Sequence, residues 1–280
     1  MTTQTLRATL AQLQHEGLER LDAQMLLLLA LQRPAHDRAW LLAHDGDALD
    51  VDAQARLDTL RHRRMRGEPM AYLRGDQEFF GLQLQVDERV LVPRPDTETL
   101  VTWALEVLGN CAHPARALDL GTGSGAIALA LQSHSPTSHV SASDASHAAL
   151  AVAQANAARL GLSVDFHAGR WLDAVPNQRF DLLVSNPPYI ADGDPHLAAL
   201  SHEPRSALTA GPDGLDDIRT LVTTAPAALN PGGWLLIEHG HDQANAVRAL
   251  MQGAGFERIG SRTDLAGIER CSGGQWPQRR

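Results

Sequence analysis

The sequence predicts a doubly wound α/β fold preceded by a small all-helical domain. Three observations carry this reading. From Ala115 onward, short apolar runs alternate with longer stretches of helical spacing, the pattern of a mostly parallel sheet covered on both faces. A glycine-rich turn, Gly121 to Gly125, follows the first of those runs, as at the first turn of such sheets. Residues 1–75 show helical spacing and no alternating segment.

In chain order, Leu6, Leu10 and Leu13 recur one helical face apart. Leu21 to Leu31 is apolar enough for a core helix, which Asp22 is placed to start. Pro34 punctuates, Ala39 to Leu42 suggests a short helix, and Val51 to Met65 a longer one stopped by Gly67. From Pro69 the pattern shortens. Glu78 to Val86 alternates around Gly81 and Val90 to Val92 follows, which together read as a β-hairpin linker over residues 76–92. Residues 93–280 form the α/β domain. Pro95 fixes the approach to a helix over Leu100 to Leu108, with Asp96 as its N-cap.

Strands are expected at Ala117 to Leu120, His139 to Ala142, Ser163 to Phe166, Phe180 to Ser185 and Trp234 to Ile237. Helices are expected at Ala126 to Leu131, Ala148 to Leu160, Leu215 to Leu229 (closed by Pro231-Gly232) and Ala244 to Met251. Phe256 to Ile259 and Gly267 to Cys271 add a final hairpin.

Composition narrows the function classes. Hydrophobic residues are 44% and charged residues 20%, a soluble globular profile. Neither a membrane span nor a signal peptide is legible, so the cytoplasm is the expected compartment. Cys111 and Cys271 give neither a disulfide framework nor a metal-ligand spacing, and no metal is expected. A net charge of −9 and only 4% aromatics argue against direct nucleic-acid binding, which relies on neutralising phosphates. All 24 basic residues are arginine, which we read as codon bias. The cluster Arg61 to Arg66 reads equally well as a basic helix end or a partner-binding patch.

The stretch richest in chemistry is Asp181 to Tyr189. An apolar run ends in Asn186-Pro187-Pro188-Tyr189. Prolines lack a backbone N–H and hold φ near one value, so this corner is stiff and rich in carbonyl acceptors. Asn186 adds a side-chain oxygen and Tyr189 an aromatic face. Such a corner suits a planar NH2 group, whose two N–H donors match the Asn186 side-chain oxygen and the Pro187 carbonyl.

The other motif is Asp119-Leu-Gly121-Thr122-Gly123-Ser124-Gly125, where glycines permit close backbone approach and the next helix presents N–H groups. Gly121, Gly123 and Ala126 also satisfy the dinucleotide fingerprint, and Asp144 stands where a ribose-binding acid is expected. This half alone therefore fits a nicotinamide enzyme equally well. Glu98 and Glu238 fall near expected strand ends and read as structural carboxylates.

Asn186-Pro187-Pro188-Tyr189 resembles the signature of methyltransferases acting on planar amide or amine nitrogens, and the acid before the glycines resembles class I S-adenosylmethionine-dependent enzymes. That resemblance implies a Rossmann-like methyltransferase sheet and S-adenosylmethionine as cofactor. It places Asp119 and Gly121 to Gly125 by the methionine part, Asp144 on the ribose and Trp171 by the adenine, with Asn186 between cofactor and substrate.

A narrower match covers most of the chain. Gly67 to Gly75, Pro93 to Glu98, the glycine loop, Asn186 to Tyr189 and Glu203 to Leu208 occur in the order seen in the peptide chain release factor N5-glutamine methyltransferases. It implies methylation of the glutamine in the Gly-Gly-Gln motif of bacterial release factors. Asn186, Pro187, Pro188 and Tyr189 then hold the carboxamide, with Tyr189 stacked on it, and the helical domain recognises the substrate. Asp96 replaces the usual Glu, and Arg170 stands where Asp is common. The alternatives are a ribosomal-protein glutamine methyltransferase, an N6-adenine methyltransferase on DNA or RNA, and an inactive cofactor-binding scaffold. Gly273-Gly274-Gln275 repeats the substrate tripeptide near the C-terminus and is read as coincidence in a tail.

Overall fold

The computed structural model describes residues 4–278, which divide into two compact units at Gly75/Asp76. The first contains α1 (Leu6–His15), α2 (Arg20–Ala30), α3 (Arg38–Ala43), α4 (Val51–Met65) and α5 (Met70–Arg74). Thr5 caps α1 by accepting from the Ala8 N–H, and Asp50 caps α4 by accepting from Ala53 at 2.7 Å. Leu6, Leu13, Leu26, Leu27, Leu41 and Leu57 meet in one core. Asp22 does not cap α2: its carboxylate sits in the first turn and takes Arg64 at 2.7 Å. Arg61 pairs with Glu16 at 2.7 Å and Arg63 with Glu68, so three arginines of the cluster are engaged within this unit.

The second unit opens with β1 (Asp76–Phe79) and β2 (Leu82–Gln85), an antiparallel hairpin. Phe80 (φ 50°) and Gly81 (φ 78°) both take left-handed backbone, the geometry that matches strand twist in a two-residue turn. Glu98 accepts from the Phe80 N–H at 3.1 Å and Glu78 from Gly81 at 2.8 Å, which holds the turn. Glu98 lies in the first turn of α6 (Thr97–Gly109), not at a strand end. Residues 90–92 form no strand. Asp96 occupies the N-cap of α6, but its side chain makes no cap bond and reaches Arg270 at 3.2 Å instead.

The main sheet contains β3 (Arg116–Leu120), β4 (His139–Asp144), β5 (Asp165–Ala168), β6 (Phe180–Ser185), β7 (Leu229–Glu238), β8 (Glu257–Thr263) and β9 (Glu269–Gln275). Their order is β5-β4-β3-β6-β7-β9-β8, with the first five parallel and β9 antiparallel to both of its neighbours, β7 and β8. Successive side chains of a strand enter opposite layers. Ala117, Leu182, Val184 and Leu236 pack toward α6 and α7 (Ala126–His134). Leu118, Phe180, Leu183, Leu235 and Ile237 pack toward α9 (Asp216–Ala228) and α10 (Ala244–Gly253). The chain winds outward from β3 and then returns to β6, so the two neighbours flank the switch point where ligands bind in such sheets.

The expected fifth strand begins earlier than Trp234. Pro231 and Gly232 lie inside β7, where the register passes from Phe180↔Leu229 to Leu182↔Trp234 across a bulge. Gly273-Gly274-Gln275 belongs to β9 and not to a tail. A Cβ on Gly273 would lie 2.8 Å from the Trp103 ring, and the Gln275 amide donates to the Gly232 carbonyl at 2.7 Å. Close packing explains those glycines, and Gln275 sits in register with Trp234 of β7.

Candidate active site

Beyond the carboxyl ends of β3 and β6 a cavity of about 440 Å³ opens, within the range of sites that enclose a drug-sized ligand. Gly121, Thr122, Gly123, Ser124, Asp144 and Trp171 line one side, and Asn186 and Pro188 another.

The glycine loop is shaped by three left-handed residues, Gly121 (φ 75°), Gly123 (φ 57°) and Gly125 (φ 85°), which serve different ends. A Cβ on Gly121 would stand 3.0 Å from the Trp171 ring, so this glycine makes room for the indole. One on Gly125 would meet Leu129 at 3.0 Å and Ala153 at 3.2 Å, where α7 crosses α8 (His147–Leu160). Only at Gly123 does the missing side chain face open space, which makes it the point of closest approach for a ligand.

The N–H groups of Gly121 and Thr122 donate to the Ser143 carbonyl at 2.8 and 2.9 Å, and that of Gly123 to Asp144 at 2.9 Å. The loop therefore contributes shape more than free donors. Asn156 anchors it from behind: its amide bonds both backbone groups of Gln85 and the Ser124 carbonyl at 3.0 Å, tying β2 to the loop.

Asp119 does not line the cavity. Fully buried, it accepts from the Thr122 hydroxyl at 2.6 Å and the Ala128 N–H at 3.2 Å, while its other oxygen has no partner. Burial pushes its carboxyl up to about 7. Asp144 does reach the cavity, at the end of β4, and its second oxygen accepts from Ser146 at 2.8 Å. Trp171 starts a short 3-10 helix in left-handed backbone (φ 49°), with its indole N–H buried and unpartnered. Arg170 beside it pairs with Asp217 of α9 at 2.9 Å.

At the corner after β6, the Asn186 amide donates to the Thr97 hydroxyl at 3.1 Å. Pro187 is buried behind Pro188 and does not line the cavity. Tyr189 also stays off the cavity wall, which gives no support to its stacking on a substrate. Its ring packs on the core that holds Leu215 and Ile218, its carbonyl accepts from Gln243 at 3.0 Å, and burial raises its phenol pKa.

Pro93, Arg94, Pro204, Ser206 and Ala207, from two segments 92–94 and 203–207, complete the wall. Glu203 is buried and holds the two segments together, accepting from the Val92 N–H at 3.1 Å and from Arg94. Arg94, Thr97, Ser206 and Asp217 line the cavity although sequence reasoning assigned them no role. The first three lie in segments that carried the family resemblance, which was the signal available for them.

Residues 100–253 match the family described as the methyltransferase small domain, and residues 4–75 match the PrmC N-terminal domain. The chain is 53% identical over 261 residues to a release factor glutamine methyltransferase of Bordetella pertussis, covering 92% of this chain and 95% of that protein. It is 48% identical over 286 residues to one of Burkholderia pseudomallei, with 99% of each chain covered. A solved methyltransferase of Pyrococcus furiosus shares the fold, with a TM-score of 0.55 at 17% identity over 79% of this chain and 99% of that one. Among the described residues, no helix is long and apolar enough to cross a membrane.

Proposed function

This chain belongs to the release factor glutamine methyltransferases, and we propose that its cavity brings S-adenosylmethionine up to the Asn186 corner, where the side-chain amide of a release-factor glutamine is methylated. The substrate glutamine is the one in the Gly-Gly-Gln motif of bacterial release factors, and the product modulates translation termination in the cytoplasm. The helical unit recognises the factor. Four of its large apolar side chains, Leu21, Leu42, Val51 and Met65, are exposed, as suits a protein-binding module.

The residues present fit the cofactor. Gly123 offers an open approach, and Asp144 keeps a lone pair on each oxygen for ribose hydroxyls. Trp171, held on Gly121, gives a flat apolar wall for a purine. Asp119 acts through Thr122 and α7 by fixing the loop. The chemistry supplied by bound S-adenosylmethionine is an electrophilic methyl on a sulfonium.

An amide nitrogen is a poor nucleophile because its lone pair is shared with the carbonyl. The corner answers this with an acceptor on the cavity wall. Asn186 Oδ1 takes one N–H of the substrate, which aims the nitrogen and stabilises the positive charge that develops on it. Pro187 and Pro188 bring no N–H to compete. The proton is free to leave after transfer, so no strong base is required.

The observation that carries this reading is the Asn186 amide on the cavity wall, beside the glycine loop, with its N–H directed away to Thr97. The test is transfer of label from S-adenosylmethionine to a purified bacterial release factor, a Gln→Ala variant of its Gly-Gly-Gln motif, a ribosomal protein and duplex DNA. Label on the unaltered factor alone is expected. Label on the ribosomal protein or DNA, with none on the factor, would overturn it.

A further inference from the structure

Two buried side chains meet Asn186 at the corner, the three coming from three elements: Thr97 opens α6, Glu238 closes β7, and Asn186 follows β6. Thr97 is 3% exposed and Glu238 2%. Asn186 Nδ2 donates to Thr97 Oγ1 at 3.1 Å, and the Glu238 carboxyl lies beside both side chains.

The chemistry of these groups leaves one arrangement. A hydroxyl has a single proton, so Thr97, accepting from Asn186, directs that proton to Glu238. An ionised carboxylate accepts only. The pair can therefore satisfy the NH2 end of the Asn186 amide and not its oxygen. The wrong flip would place an oxygen against a carboxylate inside the protein and an NH2 group toward the substrate's own NH2.

We propose that Thr97 and Glu238 are positioning residues that fix the flip of the Asn186 amide, so that its oxygen faces the glutamine nitrogen. The inference rests on the functional reading above.

The network is also sensitive to protonation. Asp96 lies beside Thr97 on the α6 side, Tyr189 on the corner, and Arg270 and Cys271 on β9, where Cys271 is the register partner of Glu238. Burial pushes the Glu238 carboxyl up to about 7; the Asp96 charge adds to this, while Arg270 and the neighbouring Thr97 and Asn186 side chains oppose it. Once protonated, Glu238 becomes a donor and can hold the amide oxygen instead, so the outward oxygen is no longer enforced. Its second oxygen, Oε2, is buried without a partner, which leaves room for that proton.

The experiment is single-turnover methyl transfer to a purified release factor across pH, with calorimetry of S-adenosylmethionine binding alongside. For the unaltered chain, the rate is expected to rise with pH through about 7. Glu238→Gln, which has an acceptor and a donor at every pH, loses that rise. Thr97→Val slows transfer about 10- to 100-fold with cofactor affinity held within about threefold, and Thr97→Ser recovers most of the lost rate. Unaltered rates in both Glu238→Gln and Thr97→Val, or the same rise near pH 7 in Glu238→Gln, would overturn the inference. No transfer by the unaltered chain would instead remove the functional reading on which it depends.

Discussion

β3 and β6 are hydrogen-bonded neighbours that end side by side, yet their loops are built by opposite means. After β3, glycines release the backbone into left-handed turns, and the N–H groups are consumed internally until only a shaped surface remains at Gly123. After β6, prolines restrict the backbone and remove N–H groups, leaving acceptors. One end yields to a ligand's shape, and the other dictates a partner's hydrogen bonds. On the proposed function, binding the methyl donor and activating the acceptor nitrogen are therefore separable by mutation.

The largest effect expected is from Asn186→Ala, which removes the acceptor proposed to hold the substrate nitrogen in the transition state. Transfer should fall at least about 1,000-fold in single-turnover assays, with S-adenosylmethionine affinity changed less than about tenfold. Equal loss of both would break the comparison. Gly121→Ala should show the converse, because φ is 75° and the new Cβ would press on Trp171 at 3.0 Å. A loss of about 2–3 kcal/mol in denaturant unfolding is expected, with cofactor affinity lowered about tenfold or more.

Asp119 sharpens the contrast through pH. Its carboxyl is raised from 3.8 to about 7 by burial, so its stabilising contribution is complete below pH 3.8 and lost as pH rises through about 7. Asp119→Asn has no such dependence. Relative to the unaltered chain it should gain about 4 kcal/mol between pH 4 and pH 8, read from urea midpoints. The smallest effect is expected at Arg170→Ala. The Arg170 side chain is 66% exposed, and its pair with Asp217 contributes less than about 1 kcal/mol.

Backbone chemistry was the legible part of this molecule. The strand at Phe180–Ser185 and the helix at Val51–Met65 appear with the bounds the pattern implies, because apolar runs and punctuation coincide there. β7 was read short because Pro231-Gly232 signals a stop that a bulge absorbs, and β9 because glycines crowded by Leu236, Trp103 and Phe256 look like a tail. At the site, the glycine loop, Asp144, Trp171 and Asn186 converge on one cavity. Asp119 and Tyr189 lie behind it, since a motif fixes position along the chain and not the direction a side chain takes. Thr97 and Glu238 were hidden for a related reason: their meeting depends on α6 crossing the ends of β6 and β7, and no local pattern encodes that.

The most direct measurement is mass-spectrometric mapping of the product, locating the methyl on a release factor treated with the unaltered chain and with Asn186→Ala. One methyl on the side-chain amide nitrogen of the Gly-Gly-Gln glutamine, absent with Asn186→Ala, is the expected result. A methyl on any other group, or on that nitrogen to the same extent with Asn186→Ala, would contradict the acceptor corner.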